Sequence, residues 1–172
     1  YNGAFVGFRN VQLIDHGKIM SDSKIMSLEI NHGWELTATP PNAYGDPNAL
    51  QAVIQPWQKA IVPGTVAQSV AENSRSADTR FDALDWWYRC SFSGDQKKYH
   101  LRFEGLATLT DIWLNGIHLL STDNMFRTYF ITSLLKPENT LIICFRSLEA
   151  ALQQKRPRPR WKTKLVDQQC LR

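Results

Sequence analysis

The sequence contains no apolar run approaching the roughly 18 residues that a membrane-spanning helix needs, so no membrane span is expected. Its three cysteines, Cys90, Cys144 and Cys170, cannot all pair with one another and have no CxxC or Cys/His spacing, which excludes a disulfide scaffold and a zinc module on sequence grounds. It also lacks an Asn-x-Ser/Thr sequon and a signal-peptide pattern. These absences favour a cytoplasmic or periplasmic compartment.

The composition is that of a globular protein. Of the 172 residues, 43% are hydrophobic and 11% are aromatic, which is too apolar for a disordered chain. The length allows one domain with a sizeable core. The chain starts at Tyr1 and ends at Leu171-Arg172 directly after a basic stretch, so we expect a piece of a longer polypeptide.

Positive charge is concentrated in one segment. The chain has 20 basic and 16 acidic residues, but six of the basic ones lie between Lys155 and Lys164, where no acidic residue occurs. Outside that segment, 14 basic residues face 16 acidic ones. Because the bulk of the chain is mildly acidic, neither a nucleic acid nor a membrane surface is expected as a partner.

Alternating apolar and polar residues dominate the second half and predict short strands. Trp86 and Trp87 lie on opposite faces of one strand, so one is expected in the core and the other against a neighbouring domain or the loop carrying Pro63-Gly64. Asn115-Gly116 is typical of a two-residue hairpin turn, with Trp113 before it as a core residue. The predicted strands are Trp34–Thr37, Trp86–Phe92, Tyr99–Glu104, Leu109–Leu114, Ile117–Leu120, Phe126–Phe130 and Thr140–Arg146.

Two short helical segments are predicted between or after the strands. Ser147 is a capping residue before an apolar stripe that Pro157 ends, which predicts one helix near residues 147–155. Thr132–Leu135, followed by Pro137, predicts a single helical turn. Many short strands with turn signals every 8–12 residues or so favour an all-β fold, a jelly-roll β-sandwich.

Five short motifs occur in an order that resembles a known family. They are Trp57 with Ile61–Val66 (IVPGTV), Asp85–Arg89 (DWWYR), Leu101–Leu106 (LRFEGL), Asp111–Gly116 (DIWLNG), and Asp123–Phe126 (DNMF) with Phe130–Leu141. Together they resemble the N-terminal, galactose-binding-like jelly-roll domain of glycoside hydrolase family 2, especially its β-mannosidase-like members. The resemblance covers roughly residues 34–172.

The resemblance implies a domain that buttresses the catalytic (β/α)₈ barrel of an enzyme that removes terminal, non-reducing β-linked sugars with retention. Residues 26–172 are then a partial jelly-roll domain, and residues 1–25 are a leader or an early strand without assignment. The family places an immunoglobulin-like domain and the barrel downstream, which makes both expected intramolecular packing partners. Because the chain stops before the last strands of the domain, we expect an exposed sheet edge and poor solubility or association in isolation.

No catalytic residue is expected in this chain. A retaining glycosidase needs two carboxylates about 5–5.5 Å apart, and the family carries both glutamates on barrel strands, so the chain alone is expected to be inactive. No cofactor is expected either. The four histidines, His16, His32, His100 and His118, lie far apart in sequence without a carboxylate at ligand spacing, so no metal site or catalytic triad is expected.

Two residues are candidates for contact with the carbohydrate substrate of the parent enzyme. Asn124 lies in a polar loop, and the resemblance implies that loops of this domain reach the barrel's active site; its alternative role is to stabilise a turn. Trp161 lies in the basic segment, whose alternative role is packing between domains. A different class of function also stays open: a stand-alone carbohydrate-binding module without hydrolase activity, which would need exposed aromatic side chains along one groove.

Overall fold

The computed structural model describes residues 7–15, 27–51, 56–73 and 80–154, and strands are the main regular structure in this part of the chain. The strands are β1 (Gly7–Phe8), β2 (Asn10–Asp15), β3 (Ser27–Glu29), β4 (Trp34–Thr39), β5 (Gln58–Lys59), β6 (Gly64–Thr65), β7 (Asp85–Ser93), β8 (Lys98–Glu104), β9 (Thr110–Leu114), β10 (Ile117–Thr122), β11 (Tyr129–Leu134) and β12 (Glu138–Phe145). The helices are α1 (Pro47–Gln51), α2 (Val66–Asn73) and α3 (Leu148–Gln153), with a 3-10 turn at Phe81–Ala83.

Two antiparallel sheets form a sandwich. The larger sheet has the strand order β10-β9-β12-β7-β4-β5, and the smaller has the order β11-β8-β2-β3. Strands β1 and β6 pair with each other and form a third, two-stranded sheet. This arrangement confirms the predicted all-β sandwich. Strand β2 falls within residues 1–25, and it pairs with both β8 and β3 in the middle of the smaller sheet.

The main core lies between the inner faces of the two sheets. Every second residue of a strand points inward, so Trp86, Tyr88 and Cys90 of β7 are buried there with Leu101 and Phe103 of β8. Aromatic rings meet edge to face within this core, as the ring centroids of Phe8 and Trp34 do at 5.0 Å. The burial of Trp86 confirms that one residue of the tryptophan pair packs inside the sandwich.

A second, smaller core covers the outer face of the larger sheet. Trp87 and Trp113 stack there with ring centroids 5.6 Å apart, together with Ile142 and Cys144 of β12. Leu50 of α1 closes the cluster from outside. The expectation that the Pro63-Gly64 loop or a neighbouring domain covers the second tryptophan is therefore wrong, because the segment around residues 40–51 of the same chain covers it.

Arg146 fastens this covering segment to the sheet. Its Nε donates to Asp111 Oδ2 at 2.8 Å, and its Nη1 lies 3.2 Å from Asp85 Oδ2. The same guanidinium donates to the carbonyl oxygens of Tyr44 and Gly45, at 2.9 and 3.3 Å. One side chain thus joins strands β7, β9 and β12 to the segment that covers the outer tryptophans.

The aromatic rings and the buried carboxylate around Arg146 reinforce this junction. The guanidinium carbon lies 5.2 Å from the ring centroid of Trp87 and 5.9 Å from that of Trp113, within the range of a cation–π interaction. Asp85 is 1% exposed and also accepts the backbone amides of Asn42 and Ser147, at 2.9 and 2.8 Å. This carboxylate therefore ties two segments to the start of β7: the covering segment through Asn42, and the connection from β12 to α3 through Arg146 and Ser147.

Local signals predict some elements and miss others. Asn115 and Gly116 have φ angles of 53° and 80° and make the predicted hairpin turn, and the predicted helix near residues 147–155 is confirmed as α3, capped by Ser147 Oγ. The helical turn predicted at Thr132–Leu135 is wrong, because Thr132–Leu134 continue β11 and pair with β8. Pairing with a neighbouring strand outweighs the local capping signal there. No helix in the described ranges is long and apolar enough to cross a membrane.

Substitution of Arg146 by methionine is expected to lower the free energy of unfolding by about 3–5 kcal/mol, because it leaves the buried carboxylate of Asp85 without its cation. The matched control is Arg80→Ala, since Arg80 is 66% exposed in its ion pair with Glu149 and such pairs contribute about 1 kcal/mol or less. Urea unfolding followed by tryptophan fluorescence measures both. Equal losses in the two variants would contradict the role given to Arg146.

The two buried thiols, Cys90 and Cys144, make the free energy of unfolding depend on pH in the alkaline range. Burial raises the pKa of Cys90 from 9.0 to about 11 and raises the pKa of Cys144 well above its ordinary value. Between pH 9 and 11 the unfolded chain loses protons that the folded chain keeps, so the free energy of unfolding is expected to fall as pH rises through this window. Urea midpoints at pH 8, 9, 10 and 11 measure the effect. Cys90→Ala should flatten the decline, and a midpoint that rises with pH would refute the assignment.

Candidate functional site

The loop between β10 and β11 passes from one sheet of the sandwich to the other. Strand β10 is an edge strand of the larger sheet and β11 is an edge strand of the smaller one. Residues 123–128, named here the crossing loop, connect them along one side of the sandwich. Since both ends are held by strands, the loop is a rigidly anchored position of the kind on which binding residues concentrate.

Asn124 shapes the first turn of the crossing loop with one half of its carboxamide. Its Oδ1 accepts the backbone amide of Phe126 at 2.9 Å, and its backbone carbonyl accepts the Tyr129 hydroxyl at 3.1 Å. The Nδ2 group has no hydrogen-bond partner among the described residues. The carboxamide therefore has one end fixed in an Asx turn and two N–H donors available to a ligand.

Phe126 is the most exposed large apolar side chain that the structure describes. It is 91% exposed, although it follows directly on the half-buried Met125. A single exposed apolar residue is ordinary on a soluble protein, but a bare phenyl ring beside free donors offers a stacking face for a planar or cyclic ligand. The loop thus presents a polar and an apolar contact side by side.

A notch of about 320 Å³ lies next to the crossing loop. Its walls are Arg9, Glu104, Gly105, Met125, Phe126, Arg127 and Thr128, and we call it the arginine notch. It lies between the end of β8 and the second half of the loop, so Arg9, near the start of the described sequence, meets residues more than 90 positions later in the chain. Sequence reasoning did not connect these residues, because nothing local relates Arg9 to Arg127.

A second polar cluster lies on the outer face of the larger sheet. Ser121 Oγ donates to Asp111 Oδ1 at 2.5 Å and lies 3.1 Å from His118 Nε2. Although Ser, His and Asp are present, the same imidazole nitrogen faces both oxygens, with His118 Nε2 3.7 Å from Asp111 Oδ1. A serine hydrolase triad needs the imidazole to bridge serine and aspartate through its two different nitrogens. This cluster therefore does not have the geometry of a nucleophilic triad.

The sequence-based search missed the neighbourhood of His118 and Asp111. The register from the Asn115-Gly116 turn pairs His118 with Trp113, and would place Asp111 opposite Leu120. A bulge between His118 and Leu120 shifts the pairing so that Ser121 faces Asp111. The hairpin signal could have brought the histidine and the aspartate to one end of the hairpin, but no sequence signal indicates the bulge.

Neither the other candidate residue nor a metal site adds to this picture. Trp161 and the basic segment Lys155–Lys164 lie outside the described residues. Within the described ranges, no group of three or more His, Cys, Asp or Glu side chains has the arrangement of a metal site.

Comparisons with known proteins agree with the resemblance seen in the sequence. The family described as glycosyl hydrolase 2 galactose-binding domain-like matches residues 34–172. A β-mannosidase of Capra hircus is 27% identical over 133 residues, covering 73% of this chain and 15% of the relative. A β-mannosidase of Mus musculus is 31% identical over 105 residues, covering 51% of this chain and 12% of the relative.

Solved structures agree in fold. The crystal structure of a β-D-mannosidase from Dictyoglomus thermophilum superposes with a TM-score of 0.60 at 27% identity, over 73% of this chain and 16% of that one. A β-glucuronidase from Ruminococcus gnavus superposes with a TM-score of 0.57 over 74% of this chain and 23% of that one, and at 17% identity this likeness concerns the fold alone. The chain thus spans less than a quarter of the length of these relatives. Since the family matches most of its residues, the chain belongs to the glycosyl hydrolase 2 galactose-binding domain-like family.

Proposed function

We propose that this chain is the non-catalytic domain of a retaining, β-mannosidase-like glycoside hydrolase that removes terminal, non-reducing β-linked sugars. The curated relatives reported above are β-mannosidases, and the chain corresponds to 15% and 12% of their lengths. The domain's role is to support the catalytic barrel and to form part of the rim around the bound sugar. No cofactor takes part in this proposal.

The described glutamates support a non-catalytic role. Glu35, Glu104 and Glu149 each form an ion pair with an arginine of this chain. Glu29 accepts hydrogen bonds from Asn10 and Gln12 at the surface. A retaining mechanism needs one carboxyl as acid and base and a second as nucleophile, facing each other across the sugar. We therefore expect the two catalytic glutamates on another part of the parent enzyme.

The free amide donors of Asn124 are the observation that carries the proposed contact with the sugar. The Asx turn holds the carboxamide oxygen, so the side chain is already oriented when a ligand arrives. Sugar hydroxyl oxygens accept hydrogen bonds from such donors. Phe126 beside it supplies an apolar face for a pyranose ring. Trp161 stays a second proposed sugar contact, on sequence grounds.

The outer side of β11 is the surface proposed to pack on the rest of the polypeptide. Phe130 and Leu134 are 60% and 59% exposed, and both lie on the outer face of this edge strand. Polar side chains flank them on β8, including Arg102, whose guanidinium lies 5.8 Å from the Phe130 ring. A mixed apolar and polar surface of this kind is typical of interfaces between domains of one chain.

The stand-alone binding module receives less support. Such a module needs several exposed aromatic side chains along one groove, whereas Phe126 is the single described aromatic residue lining the arginine notch and Trp34, Trp86, Trp87 and Trp113 are buried. Glycan affinity is therefore proposed to depend on the barrel.

Assays of the complete gene product that contains residues 1–172 test the proposal, with nitrophenyl β-D-mannoside, β-D-glucuronide and β-D-galactoside as substrates. The expected result is hydrolysis of the mannoside with retention, and no hydrolysis by the chain alone. A complete gene product that cleaves none of the three would refute it.

Asn124→Asp in the complete gene product is expected to raise KM about 2- to 10-fold, because it removes the amide donors while an aspartate oxygen still accepts the Phe126 amide. The melting temperature should stay unchanged for the same reason. Steady-state kinetics and a thermal melt measure the two effects. Asp123→Asn is the control for a change of loop charge. Unchanged KM in the Asn124→Asp variant would leave Asn124 as a turn residue only.

The double substitution Phe130→Ser and Leu134→Ser is expected to benefit the isolated chain and to destabilise the complete gene product. In the isolated chain it should reduce self-association, measured by sedimentation velocity, because it removes exposed apolar area. In the complete gene product it should lower the melting temperature, because the same area is proposed to be buried between domains. Ile117→Ser is the control, since Ile117 is equally exposed but lies at the β9–β10 turn. Unchanged self-association of the isolated chain together with an unchanged melting temperature of the complete gene product would contradict the assignment of this surface.

A further inference from the structure

The arginine notch carries positive charge that the described residues do not neutralise. Arg9 and Arg127 line the notch, and neither guanidinium has a hydrogen-bond or ion-pair partner in the described ranges. Glu104 is the acidic residue of its wall, and its carboxylate is paired with Arg102 on the outer face of the sheet. Since Glu104 is paired with Arg102, no carboxylate of the described notch wall is left for Arg9 or Arg127.

The aliphatic part of the Arg9 side chain packs on the described chain, while the guanidinium forms no hydrogen bond with the described residues. The Arg9 amide donates to the Glu104 carbonyl oxygen at 3.0 Å, which holds the backbone against the end of β8. The side-chain stem then lies across Gly105, where an added Cβ would stand 2.7 Å from Arg9 Cγ. Gly105 has a φ of +65°, so glycine suits this position on both counts. The long side chain is thus packed along its length while its charged end remains available.

The notch has the size and composition of a site for one sugar unit. Its volume of about 320 Å³ lies at the lower end of the roughly 300–1,000 Å³ that small-molecule sites occupy. The exposed residue Phe126 lines the notch together with Arg9 and Arg127. A guanidinium binds carboxylates and other oxyanions through two parallel hydrogen bonds. The walls therefore match a ring with an apolar face and an anionic substituent.

We propose that the arginine notch binds the anionic group, a carboxylate or a sulfate ester, of a glycan whose sugar ring packs against Phe126. This inference rests on the proposed function, because it assigns a class of sugar to the rim of that enzyme. A neutral sugar would leave both guanidinium groups without an anionic partner. The parent enzyme would then act on glycans that carry acidic units next to the sugar it releases.

Ligand-observed NMR titrations of the complete gene product test the proposal with three probes: D-glucuronic acid, D-glucose 6-sulfate and D-glucose. At least one acidic probe is expected to bind at least tenfold more tightly than glucose, and the acidic probe that binds more tightly identifies the anionic group. Arg9→Gln and Arg127→Gln should each raise the Kd of that probe at least tenfold and leave the Kd of glucose unchanged. Arg80→Gln is the matched control, because Arg80 is an exposed arginine paired with Glu149.

Further variants and ions separate the alternatives. Arg9→Lys keeps the charge but loses the paired donors, so an intermediate Kd is expected, and unchanged melting temperatures show that each variant is folded. Equal binding of glucose and the acidic sugars would overturn the proposal. Acetate or inorganic sulfate binding as tightly as the sugar acids would also overturn it, because the notch would then be a general anion site suited to an acidic protein surface.

The two proposals fail in different ways. If the complete gene product hydrolyses nitrophenyl β-sugars, and the arginine variants bind acidic sugars as tightly as the unsubstituted protein does, the notch inference fails and the proposed function stands. If the complete gene product hydrolyses none of them, the proposed function fails, and the Kd values still decide what the notch binds.

Discussion

Arg146 and the two aspartates that it joins hold the outer layer of this domain in place. A buried ion pair is stabilising only when additional hydrogen bonds offset the loss of solvation of both charges. Here the covering segment and the start of α3 supply these hydrogen bonds. Asp85 accepts amides from the start of α3 and from the covering segment, while Arg146 donates to two carbonyls of that segment. The stacked Trp87 and Trp113 beneath are buried, with the Arg146 guanidinium and Leu50 packed against them. A single cation therefore joins the covering segment to the larger sheet, which separates the two cores.

The position of the crossing loop also depends on the packing of the larger sheet. The larger sheet packs on the smaller one at its inner face and carries the second core on its outer face, and its edge strand β10 pairs with β9. The crossing loop starts where that strand ends and finishes on an edge strand of the other sheet. Both sheets therefore hold the segment that carries the Asx turn of Asn124, the exposed ring of Phe126 and one wall of the arginine notch.

Short-range patterns in the sequence predict the parts of the fold that are decided locally. The strands around Trp86, Leu101 and Leu141, the Asn115-Gly116 turn and α3 follow from alternation, turn chemistry and capping. Relations that depend on distant pairing were missed. The strand at Thr132–Leu134 was predicted as a helical turn, and the partner of Trp87 was assigned to the wrong loop, because only β8 and the residue 40–51 segment determine them. For the candidate site, the sequence indicates Asn124 from its polar loop, and this stays a prediction, whereas the position of Arg9 beside the crossing loop depends on strand pairing that no local signal shows.

The position of β2 has a consequence for how this domain is made. Asn10 pairs with Glu104, and the partner strand β8 lies between β2 and β11 in the smaller sheet. At about 5–20 residues per second of synthesis, β2 emerges from the ribosome several seconds before β8 exists. During that interval Val11 and Leu13, which are buried in the finished core, have only β3 as a possible strand neighbour. The nascent chain therefore exposes an apolar strand to chaperones and to other nascent chains until translation has passed the middle of the domain.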